Sequence, residues 1–249
     1  MFGLKGKVAV VTGGGRGIGQ KVAIGLAKAG AEIAILCRSG ADETVKLIED
    51  QGGKAYWIAT DVTTEESVDN ALSEILNRSS SIDILFNNAG ICMHQSTLDA
   101  TVAEFREVID VNLTGQFIVA RAIGKIMIEQ GIKGSIINMA SMSGSIVNVP
   151  QMQASYNASK SAVVHMTKSL AVEWAKHQIR VNSLSPGYVT TPMSIDTPQE
   201  LKDAWLPLIP MRRFAKPEEL LPPVLYLASN AAGYTSGSDV VVDGAYTCL

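Results

Sequence analysis

Short runs of aliphatic and β-branched residues alternate with longer amphipathic stretches along the whole chain. The short runs are apolar at nearly every position, which is typical of parallel strands that are covered on both faces. We predict strands over residues 7–12, 32–37, 54–59, 82–86, 134–139, 180–185 and 239–242.

Between these runs, apolar residues recur at helical spacing. We predict helices over residues 17–29, 42–51, 65–78, 102–130 and 154–176. Strands that alternate with helices imply βαβ units, so the predicted fold class is α/β, with a doubly wound parallel sheet of about seven strands and helices on both faces. No flexible linker, repeat or low-complexity tract divides the chain, so we predict a single domain over residues 1–249.

Two stretches rich in proline depart from this regular alternation. Residues 191–217 carry five prolines, four of them around a short apolar patch, and a connection of this length is usually a lid or a binding loop. We predict a substrate lid at about 191–217. Further along, Pro222 and Pro223 follow a helix start at Pro217, so we predict a kink or a late start of the last helix.

The composition narrows the possible partners. Charged residues make up 18% of the 249 residues, less than the roughly 25% of an average soluble domain, so packed layers or other subunits cover much of the surface. The net charge is −3 and no Lys/Arg block is present, which argues against nucleic acid or an anionic membrane as a partner.

The N-terminal residues lack a signal-peptide pattern, and no run approaches 18 apolar residues, so we expect an unexported, cytoplasmic protein. The cysteines Cys37, Cys92 and Cys248 are widely spaced and are expected to be reduced thiols. The histidines are not spaced as ligand pairs, so we expect no metal site.

A glycine-rich turn, Thr12-Gly13-Gly14-Gly15-Arg16-Gly17-Ile18-Gly19, lies between the first predicted strand and the first predicted helix. Glycines allow close backbone approach, and the free N–H groups at a helix start favour a pyrophosphate. The spacing is G-x-x-x-G-x-G and not the commoner G-x-G-x-x-G. A turn that binds nothing is the alternative, but its position after the first strand favours a dinucleotide site in a Rossmann-like fold.

The second predicted strand ends without the carboxylate that usually binds the adenosine ribose of NAD. Arg38, together with Arg16 of the glycine turn, is suited to bind the 2′-phosphate of NADP instead. The alternative is that both arginines are simply solvated. We therefore favour NADP(H), with NAD(H) as the second possibility.

Ser143, Tyr156 and Lys160 are spaced as a catalytic group. Tyr156 and Lys160 are one helical turn apart and share a face. A nearby ammonium stabilises a phenolate, so we expect Lys160 to lower the pKa of Tyr156 and let it exchange a proton with an alcohol or a carbonyl.

These motifs, taken together and in this order, resemble the short-chain dehydrogenase/reductase family from Thr12 to Gly244. Further matching elements are Asp61-Val62, Asn87-Asn88-Ala89-Gly90, Asn112, and Pro186-Gly187 followed by Thr191. The asparagines after the fourth strand also serve turn formation. The resemblance implies that Tyr156 is the general acid and base, that Ser143 binds the substrate oxygen, that Lys160 tunes Tyr156 and binds the ribose, and that Asn112 supports a proton relay.

The same resemblance implies a set of cofactor contacts around the ends of the strands. These are Gly13, Gly15, Arg16, Gly17, Ile18, Gly19, Arg38, Asp61, Val62, Asn88, Ala89, Gly90, Tyr156, Lys160, Pro186, Gly187, Val189 and Thr191. Ser141 lies close to Ser143, but the family spacing selects Ser143, and we expect a structural role for Ser141. The resemblance further implies a homotetramer, in which Phe117, His165 and Trp174 are either interface anchors or core residues.

Within the family the chain looks like the ketose reductase and polyol dehydrogenase branch, which includes sorbose reductases and mannitol dehydrogenases. Gln151, Gln153, Asn157 and His94, with Ser143 and Tyr156, are the predicted substrate contacts, because buried substrate hydroxyls need hydrogen-bond partners. Each is also explained as a polar loop residue, His94 above all.

Two other functions compete with this interpretation. A 3-oxoacyl thioester reductase would use a basic patch for a carrier protein, for which Arg212 and Arg213 are available, and an apolar lid such as residues 193–211. A regulator that binds a nucleotide without catalysis is disfavoured by the complete Ser143, Tyr156 and Lys160 set.

Overall fold

Seven parallel strands form one sheet at the centre of the protein. The computed structural model describes residues 2–191 and 197–249. The strands are β1 (Val8–Thr12), β2 (Glu32–Cys37), β3 (Lys54–Ala59), β4 (Ile84–Asn87), β5 (Ser135–Met139), β6 (Arg180–Pro186) and β7 (Asp239–Val242), in the sheet order β3-β2-β1-β4-β5-β6-β7. Every neighbouring pair is parallel, which confirms the predicted fold class.

Helices cover both faces of this sheet. They are α1 (Gly17–Lys28), α2 (Asp42–Glu49), α3 (Glu65–Arg78), α4 (Val102–Ile109), α5 (Gly115–Glu129), α6 (Ala154–Trp174), α7 (Gln199–Trp205) and α8 (Leu221–Ala228). The apolar sides of α3, α5 and α6 pack on one face, against strand residues such as Val10 and Leu36. Those of α1, α2 and α8 pack on the other, against residues such as Val11 and Ile35. Because successive strand side chains point to opposite faces, a central strand such as β1 supplies both cores and is apolar at nearly every position.

The predicted helix over 102–130 is a continuous helical run whose winding changes in the middle. Residues Asp110–Thr114 form a π-helical turn between α4 and α5. Such a turn holds one more residue than an α-helical turn, so it rotates α5 relative to α4 without breaking the run. The run is long and apolar enough to cross a membrane, but its most apolar window is 56% buried within the protein, as in a core helix.

The prolines near the C-terminus delay the last helix, as the sequence predicts. A 3₁₀ turn at Pro217–Leu220 comes first, and α8 begins at Leu221 with Pro222 and Pro223 in its first turn. N–H groups of a first turn have no partner within the helix, so proline costs nothing there. Of the predicted lid at 191–217, residues 192–196 lie outside the described residues, and α7 belongs to the remainder.

The order in which strands are added to the sheet changes direction between β1 and β4. The chain builds β1, β2 and β3 outward, and then returns to place β4 on the free side of β1. In a doubly wound sheet, ligands bind at the carboxyl ends of the strands beside such a point. There the Thr12 hydroxyl, at the end of β1, accepts hydrogen bonds from the backbone N–H groups of Asn88 and Ala89 at 2.8 and 2.9 Å. The two strand ends are thereby joined.

Candidate active site

A cavity of about 800 Å³ opens at the carboxyl ends of the strands, and it brings most of the predicted site residues together. The predicted cofactor residues in its lining are Gly13, Gly15, Arg16, Gly17, Ile18, Gly19, Arg38, Asp61, Val62, Asn88, Ala89, Gly90, Tyr156, Lys160, Pro186, Gly187, Val189 and Thr191. Ser143, Gln151, Gln153 and His94 line it as well. Asn112 and Asn157 are the predicted residues outside the lining.

The glycine turn leaves no room for side chains on its inner side. Gly13 and Gly17 have φ angles of +65° and +59°, in the left-handed region that favours glycine. A Cβ on Gly15 would lie 2.5 Å from the Gly40 carbonyl oxygen, and one on Gly19 would overlap the Gly13 carbonyl oxygen. The turn therefore keeps its backbone bare toward the cavity.

The start of α1 fits an anionic group. Arg16 is the N-cap residue and makes no side-chain capping bond, and the first turn carries no acidic residue. The Gly14 carbonyl accepts a hydrogen bond from the Thr44 hydroxyl at 3.0 Å, which ties that carbonyl to α2. Uncapped N–H groups, the positive end of the helix dipole and bare glycine backbone are what a pyrophosphate needs. The residues present thus fit a dinucleotide cofactor.

Arg16 and Arg38 are both exposed and both line this cavity. Asp61, in the same lining, accepts hydrogen bonds from the Thr63 N–H and hydroxyl at 2.9 and 2.7 Å. These bonds lower the pKa of Asp61, and the nearby charge of Arg38 adds to the effect. The pair of arginines stands where a 2′-phosphate is expected.

Tyr156 and Lys160 lie side by side on α6. The Lys160 ammonium donates to the Met139 carbonyl oxygen at 2.8 Å, and its Nζ is 5.5 Å from the centroid of the Tyr156 ring. Burial raises the pKa of Tyr156 above its ordinary value and lowers that of Lys160 to about 8. Burial penalises the charged form of both groups and is the largest cause of both shifts, so the expectation that Lys160 lowers the pKa of Tyr156 stays a prediction. Tyr156 is held as a neutral proton donor.

Ser143 lies in a short 3₁₀ turn, Met142–Gly144, that follows β5. Its hydroxyl donates to Asn148 Oδ1 at 2.6 Å and accepts from Gln153 Nε2 at 3.2 Å. Ser141 caps the turn by accepting the Ser143 N–H at 3.1 Å, which is the structural role expected of it. Ser141 is also the serine whose side chain hydrogen-bonds Tyr156.

Asn112 supports the site from behind. It is fully buried in the π-helical turn, where its Oδ1 accepts from the Ile91 N–H at 2.8 Å and its Nδ2 donates to the Ile91 carbonyl oxygen at 2.9 Å. The same Nδ2 donates to the Ser159 hydroxyl at 3.1 Å, and Ser159 donates to the Tyr156 carbonyl oxygen at 2.7 Å. Asn112 thus holds the loop after β4 against the helix that carries Tyr156.

A hydrogen-bonded wall, here called the amide wall, stands beside Ser143 and consists of Asn148, Gln151, Gln153 and Tyr188. Asn148 Nδ2 and Gln151 Nε2 both donate to the Tyr188 hydroxyl oxygen, at 3.2 and 3.0 Å. Trp205 of α7 donates its indole N–H to Gln151 Oε1 at 2.7 Å and stacks on the Tyr188 ring, with 4.3 Å between centroids. The wall joins α7 to the catalytic serine.

The predicted substrate contacts Ser143, Gln151, Gln153 and Asn157 hydrogen-bond other side chains of the protein. Gln151 and Gln153 line the cavity, but their amide groups bind protein partners. Asn157 accepts from Gln153 Nε2 at 2.8 Å and lies outside the lining, which corrects its predicted direct contact to an indirect one. His94 lines the cavity with its ring edge-on to Trp205, and burial lowers its pKa.

Sequence reasoning missed Cys92, Asn148, Tyr188 and Trp205, all of which line the cavity. Tyr188 directly follows the Pro186-Gly187 motif, and Trp205 is an aromatic residue in the proline-rich segment. The positions of both in the sequence therefore indicated that they could lie at the site. Burial raises the pKa of the Cys92 thiol to about 11, which keeps it neutral.

Several residues considered for partner binding are engaged within the protein. Arg213 makes two short hydrogen bonds to the Glu219 carboxylate, and Arg212 donates to the Pro207 carbonyl oxygen. Trp174 is buried against Gly124, where a Cβ would meet its ring, so it is a core residue. Phe117 and His165 are exposed.

Comparison with known proteins gives consistent matches over the whole chain. A family model described as enoyl-(acyl carrier protein) reductase matches residues 13–247. The sorbose reductase of Candida albicans is 43% identical, over 100% of this chain and 89% of its own length. A probable NADP-dependent mannitol dehydrogenase of Yarrowia lipolytica is 44% identical, over 99% of this chain and 90% of its own.

The fold has equally similar solved relatives. The crystal structure of a short-chain type dehydrogenase/reductase from Mycobacterium marinum superposes with a TM-score of 0.94. It is 45% identical in sequence, and the match covers 100% of this chain and 98% of that one.

Proposed function

Because the chain belongs to the short-chain dehydrogenase/reductase family, we propose that it interconverts a sugar alcohol and its ketose with NADP(H). One observation carries the proposal. A single cavity joins the anion-binding glycine turn to Tyr156, Lys160 and Ser143, and a wall of amide groups stands beside that catalytic cluster. Relatives named for sorbose and mannitol support the substrate class.

Some residues of this chain transfer the proton, and others orient the substrate and the site. When bound, the nicotinamide supplies or accepts the hydride. Tyr156 gives its proton to the substrate oxygen in reduction and takes it back in oxidation. Lys160, whose pKa of about 8 leaves it mainly charged at neutral pH, stabilises the phenolate that remains. Ser143 holds the same substrate oxygen, and Asn112 fixes the loop after β4 that forms the floor of the site.

The choice of NADP(H) rests on charge. Arg16 and Arg38 stand at the end of the cavity that faces β2, where the strand end provides Cys37 and Ser39 in place of a carboxylate. Two guanidinium groups suit a 2′-phosphate. The residues that would hold the nicotinamide half are Asn88, Ala89, Gly90, Lys160, Val189 and Thr191.

The test is an assay of NADPH oxidation with fructose, sorbose, xylulose and acetoacetyl thioesters, and of NADP⁺ reduction with the matching polyols. We expect turnover with at least one ketose and its polyol. Turnover with the thioester alone would overturn the proposal in favour of the 3-oxoacyl thioester reductase. The engagement of Arg213 with Glu219 leaves less free positive charge for a carrier protein than the sequence suggested.

We further infer that the enzyme is a cytoplasmic homotetramer. Apolar side chains exposed on the helices α4 to α6, namely Val102, Phe105, Phe117 and Val172, support burial against other subunits. The cysteines Cys37, Cys92 and Cys248 are free, as suits a reducing compartment. Light scattering after size exclusion is expected to give about four times the 26.5 kDa chain mass, and a monomer mass would contradict the inference. Cell fractionation tests the location.

A further inference from the structure

The side-chain amide of Gln153 has three acceptors around its nitrogen but only two N–H groups. Its Nε2 lies 2.8 Å from Asn157 Oδ1, 3.2 Å from Ser143 Oγ and 3.2 Å from Asn148 Oδ1. The Ser143 and Asn148 oxygens are themselves 2.6 Å apart, so one N–H that points between them serves both. One N–H of Gln153 is therefore committed to Asn157, and the other is shared.

The surroundings fix which way this amide points. Cys92 Sγ lies 3.9 Å from Gln153 Oε1 as a weak donor, and the His94 ring hydrogen-bonds the same side chain. The opposite end of the amide faces oxygens that accept hydrogen bonds, so the nitrogen belongs there. Gln153 and Asn148 are both buried, and a partner lost by either leaves a buried polar group unpaired.

Ser143 has one proton and two uses for it. In this structure the hydroxyl donates to Asn148 Oδ1 at 2.6 Å, which is a short hydrogen bond. The oxygen of a ketone can only accept, so to hold it the same hydroxyl has to turn its proton into the cavity that it lines. Unless another donor replaces it, Asn148 Oδ1 is then left unpaired in a buried place.

Resting on the proposed function, in which Ser143 binds the substrate oxygen, we propose that Gln153 is a positioning residue that releases the Ser143 proton for the substrate. The shared N–H of Gln153 takes over Asn148 Oδ1 when the Ser143 O–H turns to the substrate oxygen. Only the direction of the O–H bond changes, and the oxygen of Asn148 has a donor within reach in both states. The substrate thus gains a donor without leaving a buried acceptor unpaired.

Gln153→Met tests this exchange because it keeps the length of the side chain and removes both N–H groups. Among the described residues, Asn148 Oδ1 then depends on Ser143 alone, so turning the Ser143 proton away leaves a buried acceptor unpaired. We expect kcat/KM for the best ketose, and for its polyol, to fall by about 10- to 100-fold. The Kd for NADPH, measured by fluorescence titration, reports whether the variant keeps its fold.

The double variant Gln153→Met with Asn148→Ala removes the competing acceptor as well. The Ser143 proton is then free for the substrate, so kcat/KM should recover to within about threefold of that of Asn148→Ala alone. Asn148→Ala is the matched reference because it carries the same loss of the hydrogen bond to Tyr188. A packing role of Gln153 predicts the reverse, since a second truncation then adds to the damage or leaves it unchanged.

Gln153→Glu tests the same step with the shape of the side chain kept. Near pH 9 its carboxylate has no proton to donate and itself accepts from Ser143, so kcat/KM should fall at least as far as in Gln153→Met. Adding Asn148→Ala should not relieve this loss, because the carboxylate still holds the Ser143 proton.

A loss in Gln153→Met that Asn148→Ala relieves, together with a loss in Gln153→Glu that it does not relieve, supports the proposal. Near wild-type kcat/KM in either Gln153 variant overturns it, and so does a loss in Gln153→Met that persists in the double variant. If Gln153→Met fails to bind NADPH, the two Gln153→Glu measurements decide. A wild type that reduces only the thioester overturns the proposed substrate and leaves this test standing, with the thioester as substrate. A wild type inactive with every carbonyl compound overturns both.

Discussion

Replacing Gly19 by alanine tests whether the bare backbone of the glycine turn holds the cofactor. The added Cβ would overlap the Gly13 carbonyl oxygen and lie 2.7 Å from Asn88 Nδ2. The first of these is a backbone atom of the turn itself, so the overlap is relieved only if the turn or the first turn of α1 moves. The N–H groups at the start of α1 move with it.

The size of the effect follows from those N–H groups. Loss of one hydrogen bond to a charged phosphate costs about 1.5–3 kcal/mol, so the Kd for NADPH should rise at least about tenfold. Overpacking also lowers the free energy of unfolding by about 1–3 kcal/mol, offset in part by the better helix propensity of alanine. Titration of NADPH fluorescence measures the first quantity, and urea unfolding the second.

Gly25→Ala is the matched control on the same helix. Its Cβ would overlap only the Leu221 side chain, on the face that packs against α8 and away from the cavity. We expect a similar loss of stability with Kd unchanged within about twofold. If Gly19→Ala binds NADPH as the wild type does, or if Gly25→Ala weakens binding equally, the steric reasoning is refuted.

Three further predictions concern single side chains. Tyr156→Phe should lower kcat by about 10²–10⁴-fold with an unchanged Kd for the cofactor, and near wild-type turnover would contradict its proton role. Cys37→Asp places a carboxylate beside Arg38 and should lower the NADPH-to-NADH ratio of kcat/KM about tenfold or more; an unchanged ratio means that the arginines do not bind the phosphate. Lys160 has a folded pKa of about 8 against an ordinary 10.5, so the unfolded chain binds its proton more tightly and stability falls as pH drops from 10.5 toward 8. Lys160→Met should therefore be about 3 kcal/mol more stable near pH 7 by urea unfolding, with the difference shrinking toward pH 10, and a difference that is independent of pH would contradict this.

The strands were predictable because a doubly covered parallel strand is apolar at nearly every position. The π-helical turn within the helix over 102–130 was not predictable, since such a turn changes the winding of the helix without changing its composition. It nevertheless carries Asn112, one of the residues that the family resemblance singled out.

The cavity was predictable from motifs that lie at strand ends. The amide wall was not, because it depends on contacts between residues that are distant in sequence. Trp205 and Gln151 are 54 positions apart, and Asn148 and Tyr188 are 40 apart, so no spacing rule links them. The rise in the pKa of Tyr156 was not predictable for a related reason. Burial is its largest cause, and burial is a property of the assembled fold.

The saturation of the amide wall has a consequence for the evolution of this pocket. Each of its amides satisfies at least two partners, so a single change such as Gln151→Leu leaves both the Trp205 N–H and a hydrogen-bonding position of Tyr188 unpaired, at about 1–3 kcal/mol for each buried orphan. Substitutions at contacting positions of this kind are not additive. Mutational paths that change one residue at a time therefore meet a barrier of low stability, and libraries that vary Gln151 together with Trp205 should reach new substrates more readily than libraries that vary either one.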